Sequence, residues 1–197
     1  MWEHRGITGT GDKPDIVGTY SGRLVVLGNA RNLWDDLSQL DLKGADLMGM
    51  GWGGAFIKGL HHAVCMHSDQ FAHISVMRYH GPNRKLPPPI WHGQRNNGPK
   101  DLDYIVWNLK PAFGFHGLFS ARVGICLGYE EVILCGCPLE PIGNFWEPPD
   151  PEFNPNAYHP RDYMDAASYE AWHDDVFKGK VFSMSGISRE ILGPPSS

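Results

Sequence analysis

Short apolar runs alternate along the chain with segments whose apolar positions recur every three or four residues. The runs predict strands at Arg23–Leu27, Ala45–Met50, His62–Met66, Glu131–Cys135 and Lys180–Met184, with Tyr104–Leu109 as a further one. The helical spacing predicts helices over Leu33–Leu40, Gly53–Gly59, Asp69–Tyr79, Gly117–Gly128, Asp162–Phe177 and Ser188–Leu192. Strand and helix in alternation is the pattern of a parallel sheet covered on both faces, so the fold class is α/β. Residues 1–20 have few periodic apolar positions and several glycines. They are expected to form a flexible N-terminal arm, leaving a single domain over 21–197.

Two connections interrupt the alternation. Gly81–Lys100 contains Pro87-Pro-Pro89, and Pro138–Pro160 contains Trp146-Glu-Pro-Pro-Asp-Pro151; neither is expected to form a regular element. Loops this long in a compact domain are lids, binding loops or disordered segments. Trp91, Phe145, Trp146, Phe153 and Tyr158 argue against simple disorder, because aromatic rings gain by burying area.

Charge and cysteine usage narrow the function classes. The formal net charge of −5 lacks the basic excess of a protein built to grip a nucleic-acid backbone. No apolar run approaches the roughly 20 residues that span a bilayer, and Met1-Trp-Glu-His-Arg-Gly6 lacks the apolar core of a secretory leader, so a cytoplasmic location is expected. Cys65, Cys126, Cys135 and Cys137 each lie in an apolar stretch, where free cysteine packs as a small hydrophobe. No standard zinc spacing joins them to His61, His62 or His67, and no metal or cofactor is expected.

Candidate chemistry begins where the first core strand stops, at Gly28-Asn29. A strand that ends on glycine and feeds a helix presents backbone N–H groups and a helix dipole to anything negative, and is equally a plain structural turn. A second such place opens Gly114-Phe-His-Gly-Leu-Phe-Ser-Ala-Arg-Val-Gly-Ile-Cys-Leu-Gly128. His116 leads this helix, and Gly117, Ser120, Ala121 and Gly124 make a face that can approach the sheet or a ligand closely. His67-Ser-Asp69 follows the third strand, at the carboxyl end where open parallel sheets bind ligands; Ser68 or Asp69 also reads as the cap of the next helix. Arg31, Lys58, Arg122 and Arg161 are cations that could face a phosphate, Arg31 foremost because it adjoins Gly28-Asn29. Asp101 and Asp103 read as a solvated loop pair.

Gly28-Asn29-Ala30, with the helix and strand after it, resembles the opening Gly-Asn-Gly-Pro-Ser-Leu pattern of bacterial sialyltransferases and of the related MptE-like diphosphokinases, the DUF115 group. Gly117–Gly136 resembles their second motif, a helix ending in Leu-Gly-Tyr and then a strand running to Gly. Order and spacing agree from Arg23 to Cys137. The resemblance implies a Rossmann-like three-layer sandwich that binds a nucleotide or nucleotide-sugar. It also implies nucleotide-facing roles for Gly28, Asn29, Ala30, Arg31, His116 and Gly117, with Trp52 of Gly51-Trp-Gly-Gly54 stacking on a base. His159, in Tyr158-His-Pro-Arg161, matches the family's lid histidine and would be the base that deprotonates an acceptor hydroxyl. The chain departs from the pattern in Ala30-Arg31-Asn32 for Gly-Pro-Ser, His116 for Ser or Thr, and Cys137-Pro138 where Asp is common.

The expected function is therefore transfer of a sugar from a nucleotide donor to a hydroxyl. Two alternatives stand beside it: a diphosphokinase, which would require magnesium, and a nucleotide-binding or interaction protein without catalysis. Self-association into a homo-oligomer stays open.

Overall fold

The computed structural model describes residues 1–80, 87–94, 102–110, 115–140, 142–147 and 161–196. Seven strands form one parallel sheet: β3 (Arg23–Leu27), β4 (Asp46–Met50), β5 (His62–Cys65), β6 (Ile90–Gly93), β7 (Ile105–Val106), β9 (Glu131–Cys135) and β10 (Val181–Ser183). They lie in the order β10-β9-β3-β4-β5-β6-β7. The helices are α1 (Leu33–Ser38), α2 (Gly53–Phe56), α3 (Ser68–His80), α4 (His116–Leu127), α5 (Arg161–His173) and α6 (Gly186–Leu192). This is a Rossmann-like three-layer α/β domain.

Strand periodicity shows how the two faces are filled. In β3 and β9, Leu24, Val26, Val132 and Leu134 join one core with α4 and α5, while Val25, Leu27, Ile133 and Cys135 join Leu33 of α1 on the other side. A third cluster puts Ala63, Cys65 and Trp91 of β5 and β6 against Ala55 of α2 and Phe71 and Ile74 of α3. The small-residue face of α4 lies on the sheet as its composition requires: a Cβ on Gly124 would stand 2.6 Å from Leu24 Cδ2. Arg122, on the same helix, is 1% exposed and pairs with Glu170 and Asp174 of the α5 segment, so this cation joins two helices rather than facing a ligand.

Three expectations are corrected. The first twenty residues are not an arm: β1 (Trp2–His4) and β2 (Ile7–Gly9) form a hairpin that pairs through β2 with β8 (Leu109–Lys110). Arg5 and Gly6 both take positive φ, closing the two-residue turn, and Ile7 is 1% exposed in the main core. The Gly81–Lys100 connection carries a sheet strand, β6, whose four residues Ile-Trp-His-Gly include a buried histidine and so give little apolar signal. Tyr104–Leu109 is split between β7 and the start of β8, which belong to different sheets.

The buried histidine belongs to a polar spine across the sheet. Trp107 Nε1–H can only donate, and it donates to His92 Nδ1 at 2.9 Å. His92 Nε2 must then carry the proton that meets His62 Nδ1 at 3.0 Å, and His62 Nε2–H faces Tyr129 Oη at 2.9 Å. The Tyr129 hydroxyl donates to the Asp46 carboxylate, which His61 also approaches at 3.3 Å. One donor-only group thus fixes the tautomer of both rings. Burial holds His62 at about 4 and His92 well below the usual imidazole range, so both are neutral.

Candidate functional site

The carboxyl ends of β9, β3, β4 and β5 and the amino end of α4 meet at one edge of the sheet, and the two glycine motifs touch there. A Cβ on Gly28 would fall 2.1 Å from the Gly136 carbonyl oxygen and 2.5 Å from Cys137 Sγ; one on Gly117 would fall 3.3 Å from the same sulfur. Glycine is therefore required at 28 by close approach to the β9 turn, independently of any ligand. Cys137 is 1% exposed, and burial raises its thiol, so it fills space between the motifs. All four cysteines are buried free thiols.

Asn29 ties the first motif to the second core strand. Its Oδ1 accepts the Gly53 N–H at 3.0 Å. Gly53 is the first residue of α2, whose N-cap residue Trp52 supplies no capping side chain, so Asn29 caps this helix from another strand. Because Gly53 N–H only donates, the carboxamide is oriented, and its Nδ2 makes no hydrogen bond among the described residues. Gly51 has φ +50°, and a Cβ there would stand 2.9 Å from Nδ2. Asn29 thus offers an aimed donor at the strand end.

The backbone at this turn differs from the expected open cradle. Gly28, Ala30 and Arg31 donate their N–H groups to the carbonyls of Cys135 (2.7 Å), Gly136 (3.1 Å) and Gly143 (2.9 Å). Ala30 bridges Asn144, and Phe145 N–H reaches the Asn29 carbonyl at 2.9 Å, so residues 142–147 are laced onto the motif. The amides that a phosphate would need at 28, 30 and 31 are already satisfied by the chain.

His116 stands at the amino end of α4, where its Nε2 accepts the Met66 N–H at 3.3 Å. A nitrogen that accepts carries no proton, so in this arrangement Nε2 has no N–H to give a ligand. The exposed His67 ring lies 4.9 Å away, centroid to centroid. Ser120, one turn into α4, is fully buried, and its hydroxyl has no partner among the described residues.

Trp52 stacks on Phe56 (6.2 Å, 19°) at one end of an arc of five rings. Trp146 follows at 5.9 Å from Phe56, Phe145 at 4.9 Å from Trp146, and Trp34 at 5.6 Å from Phe145. Trp34 is 53% and Trp146 36% exposed. Lys58 and Asp103 are exposed. His159 and Asp101 lie outside the described residues, as do the side chains of Ser68, Asp69 and Arg161. Among the described residues no group of three or more His, Cys, Asp or Glu side chains could hold a metal ion, and no helix is long and apolar enough to cross a membrane.

Sequence reasoning missed Asp36 altogether. It is 2% exposed on α1, three residues after the buried Leu33, and the signal was an acid at a core-facing helical position.

The fold has known counterparts. The chain matches the sialyltransferase CstII from Campylobacter jejuni in complex with cytidine-5'-monophosphate at a TM-score of 0.59 and 13% identity, over 88% of this chain and 85% of that one. The same enzyme with CMP-3FNeuAc matches at 0.57 and 12% identity, over 88% of this chain and 86% of that one. Its complex with a trisaccharide acceptor and CMP matches at 0.56 and 12% identity, with the same coverage. The chain has a sialyltransferase-like fold. No protein-family model matches the sequence, and no curated protein matches it.

Proposed function

We propose that this protein is a glycosyltransferase-like enzyme that takes a sugar from a nucleotide donor and gives it to a hydroxyl acceptor. The observation that carries the reading is the convergence of the two glycine motifs on Cys137 at the carboxyl edge of the sheet, with the oriented Asn29 donor beside them. The likeness of fold to a sialyltransferase seen with CMP and a CMP-sugar analogue supports it. In this reading Asn29 Nδ2, the Arg31 side chain and the amino end of α4 at His116 and Gly117 receive the nucleotide, because the amides of the first turn are taken. The base or sugar stacks on the arc that Trp52 begins. His159 accepts the acceptor hydroxyl's proton as its oxygen bonds the anomeric carbon, and the bond from that carbon to the phosphate oxygen breaks, releasing the nucleotide with the electron pair.

A thermal-shift screen of CMP, UDP, GDP, ADP, ATP and their sugar conjugates tests this, with and without magnesium. A ligand at 100 times its Kd stabilises by about 2.7 kcal/mol, so the expected outcome is a clear shift with one nucleotide. Slow donor hydrolysis without acceptor should then fall by about 10² to 10⁴ in His159→Ala. Binding without turnover would leave a nucleotide-binding protein, and magnesium-dependent release of AMP from ATP would make it a diphosphokinase. No shift with any nucleotide would overturn the reading.

A further inference from the structure

The buried carboxylate of Asp36 is the least expected group near the site. Its Oδ2 accepts the Gly136 N–H and the Ser185 hydroxyl, each at 2.8 Å. Asn32 Nδ2 lies 3.4 and 3.3 Å from the two carboxylate oxygens and bonds Ser185 Oγ as well, while Asn32 Oδ1 is buried without a partner among the described residues. Gly136 N–H and the Asn32 amide can only donate toward Asp36, so the carboxylate is the acceptor on which the cluster depends.

What Asp36 holds is the turn on which both motifs rest. Gly136, at φ +64°, ends β9; its carbonyl accepts the Ala30 N–H and blocks any side chain at position 28. The next residue is Cys137, against which Gly28 and Gly117 close. From the other side, Ser188 of α6 donates its hydroxyl to the Cys137 carbonyl at 2.7 Å and its N–H to the Pro138 carbonyl at 3.1 Å. The turn is therefore clamped between α1, through Asp36, and the amino end of α6, through Ser185 and Ser188.

We propose that Asp36 is a positioning residue for the nucleotide site, setting the distance between the β9 turn and the backbones of Gly28, beside the Asn29 donor, and Gly117, at the amino end of α4. This rests on the nucleotide-sugar reading above. Stability alone gives a poor reason for the residue. Burial pushes its carboxyl above the usual range, as does Asp35 on the same helix, and the Gly136 amide, Ser185 hydroxyl and Arg189 only partly offset this. The thiols of Cys135 and Cys137, which face it from β9, are themselves raised and uncharged. With its folded value above the unfolded one, ionised Asp36 lowers stability as pH rises through the folded value. An ion kept in the interior at that cost is accounted for by what it positions.

The experiment is calorimetric titration with CMP and with a 3-fluoro CMP-sugar analogue. Each variant is measured well below its own Tm. Asp36→Ala strips the acceptor from Gly136 and is expected to weaken binding about tenfold or more, which is the worth of one hydrogen bond to a charged group. Asp36→Asn keeps an acceptor for Gly136 and can place its amide against Asn32 Oδ1, so affinity returns to within about threefold of the wild type, a difference below 1 kcal/mol.

If Asp36→Ala lowers Tm yet binds with wild-type affinity, Asp36 serves the fold alone and the proposal fails while the nucleotide reading stands. If the wild type binds neither ligand, the nucleotide reading fails and takes the proposal with it. Should Asp36→Ala not fold, Ser185→Ala removes one bond to the carboxylate while leaving that to Gly136. It is expected to weaken binding by about threefold, and unchanged affinity there overturns the proposal.

Discussion

Two buried polar networks lie in the same sheet and are built differently. The spine that starts at the amino ends of β4 and β5, Trp107–His92–His62–Tyr129–Asp46, is closed: each proton has an acceptor, and its direction is fixed by one indole. The carboxyl edge is left open. There, among the described residues, the Asn29 amide has no hydrogen-bond acceptor and Asn32 Oδ1 and Ser120 Oγ are buried without a partner, and a carboxylate is kept at a cost. A complete network specifies the fold, whereas unfilled groups beside an aromatic arc mark where something else belongs.

The comparison can be broken most sharply at Arg122. Replacing it by Ala strands the buried Glu170 carboxylate, and equilibrium unfolding should show a loss of about 3 to 5 kcal/mol. Nucleotide affinity measured below the Tm should be unchanged, because this cation ties α4 to Glu170 and Asp174. A specific loss of binding would return Arg122 to the site.

Acid tests the spine next. His62 sits at about 4 when folded against 6.5 as a free imidazole, so between these values the unfolded chain binds a proton that the folded chain excludes. Stability is complete above 6.5 and falls as pH drops toward 4, by on the order of 3 kcal/mol from this ring, with His92 shifted in the same direction. Urea titrations at pH 7 and pH 4.5 should differ accordingly; equal midpoints would show that the rings are solvated.

Gly28→Ala probes where fold and site share an atom. A methyl 2.1 Å from the Gly136 carbonyl forces the backbone apart, at about 1 to 3 kcal/mol in unfolding free energy. CMP binding should be lost along with the contact to Cys137. Retained affinity would separate the turn from the ligand.

The smallest stability effect belongs to Asn29→Ala, about 1 kcal/mol for an uncapped Gly53 amide. Its effect on affinity should exceed that on stability. A thermal melt with and without CMP reads both, and equal losses would reduce Asn29 to a helix cap.

Much of this was legible in the residues. The apolar runs that became β3 and β9 match the observed strands, and the helix led by His116 begins within a residue of its expected place. Gly117 is legible in the sequence as a point of close approach and Gly28 only as a turn open to an anion, yet both are points of close approach. What they approach was not legible. The Gly136 carbonyl and Cys137 lie more than a hundred residues from Gly28, and the same carbonyl takes the amide that the sequence offers to a phosphate. The hairpin at residues 2–9 escaped because Arg-Gly is a weak turn signal beside Asn-Gly. The strand at 90–93 escaped because it buries a histidine that only a tryptophan and a second histidine, both outside the strand, satisfy.

By itself the sequence determined the α/β alternation, the order of the two glycine motifs and the face each helix buries, because these follow from periods of two and 3.6 residues and from the absence of a side chain. The tertiary structure alone decided which polar groups are spent and which remain. The Asp36 bond to Gly136, the Arg122 pair and the His62–His92 spine join residues 30 to 100 positions apart, and no local pattern encodes the partner of a buried donor.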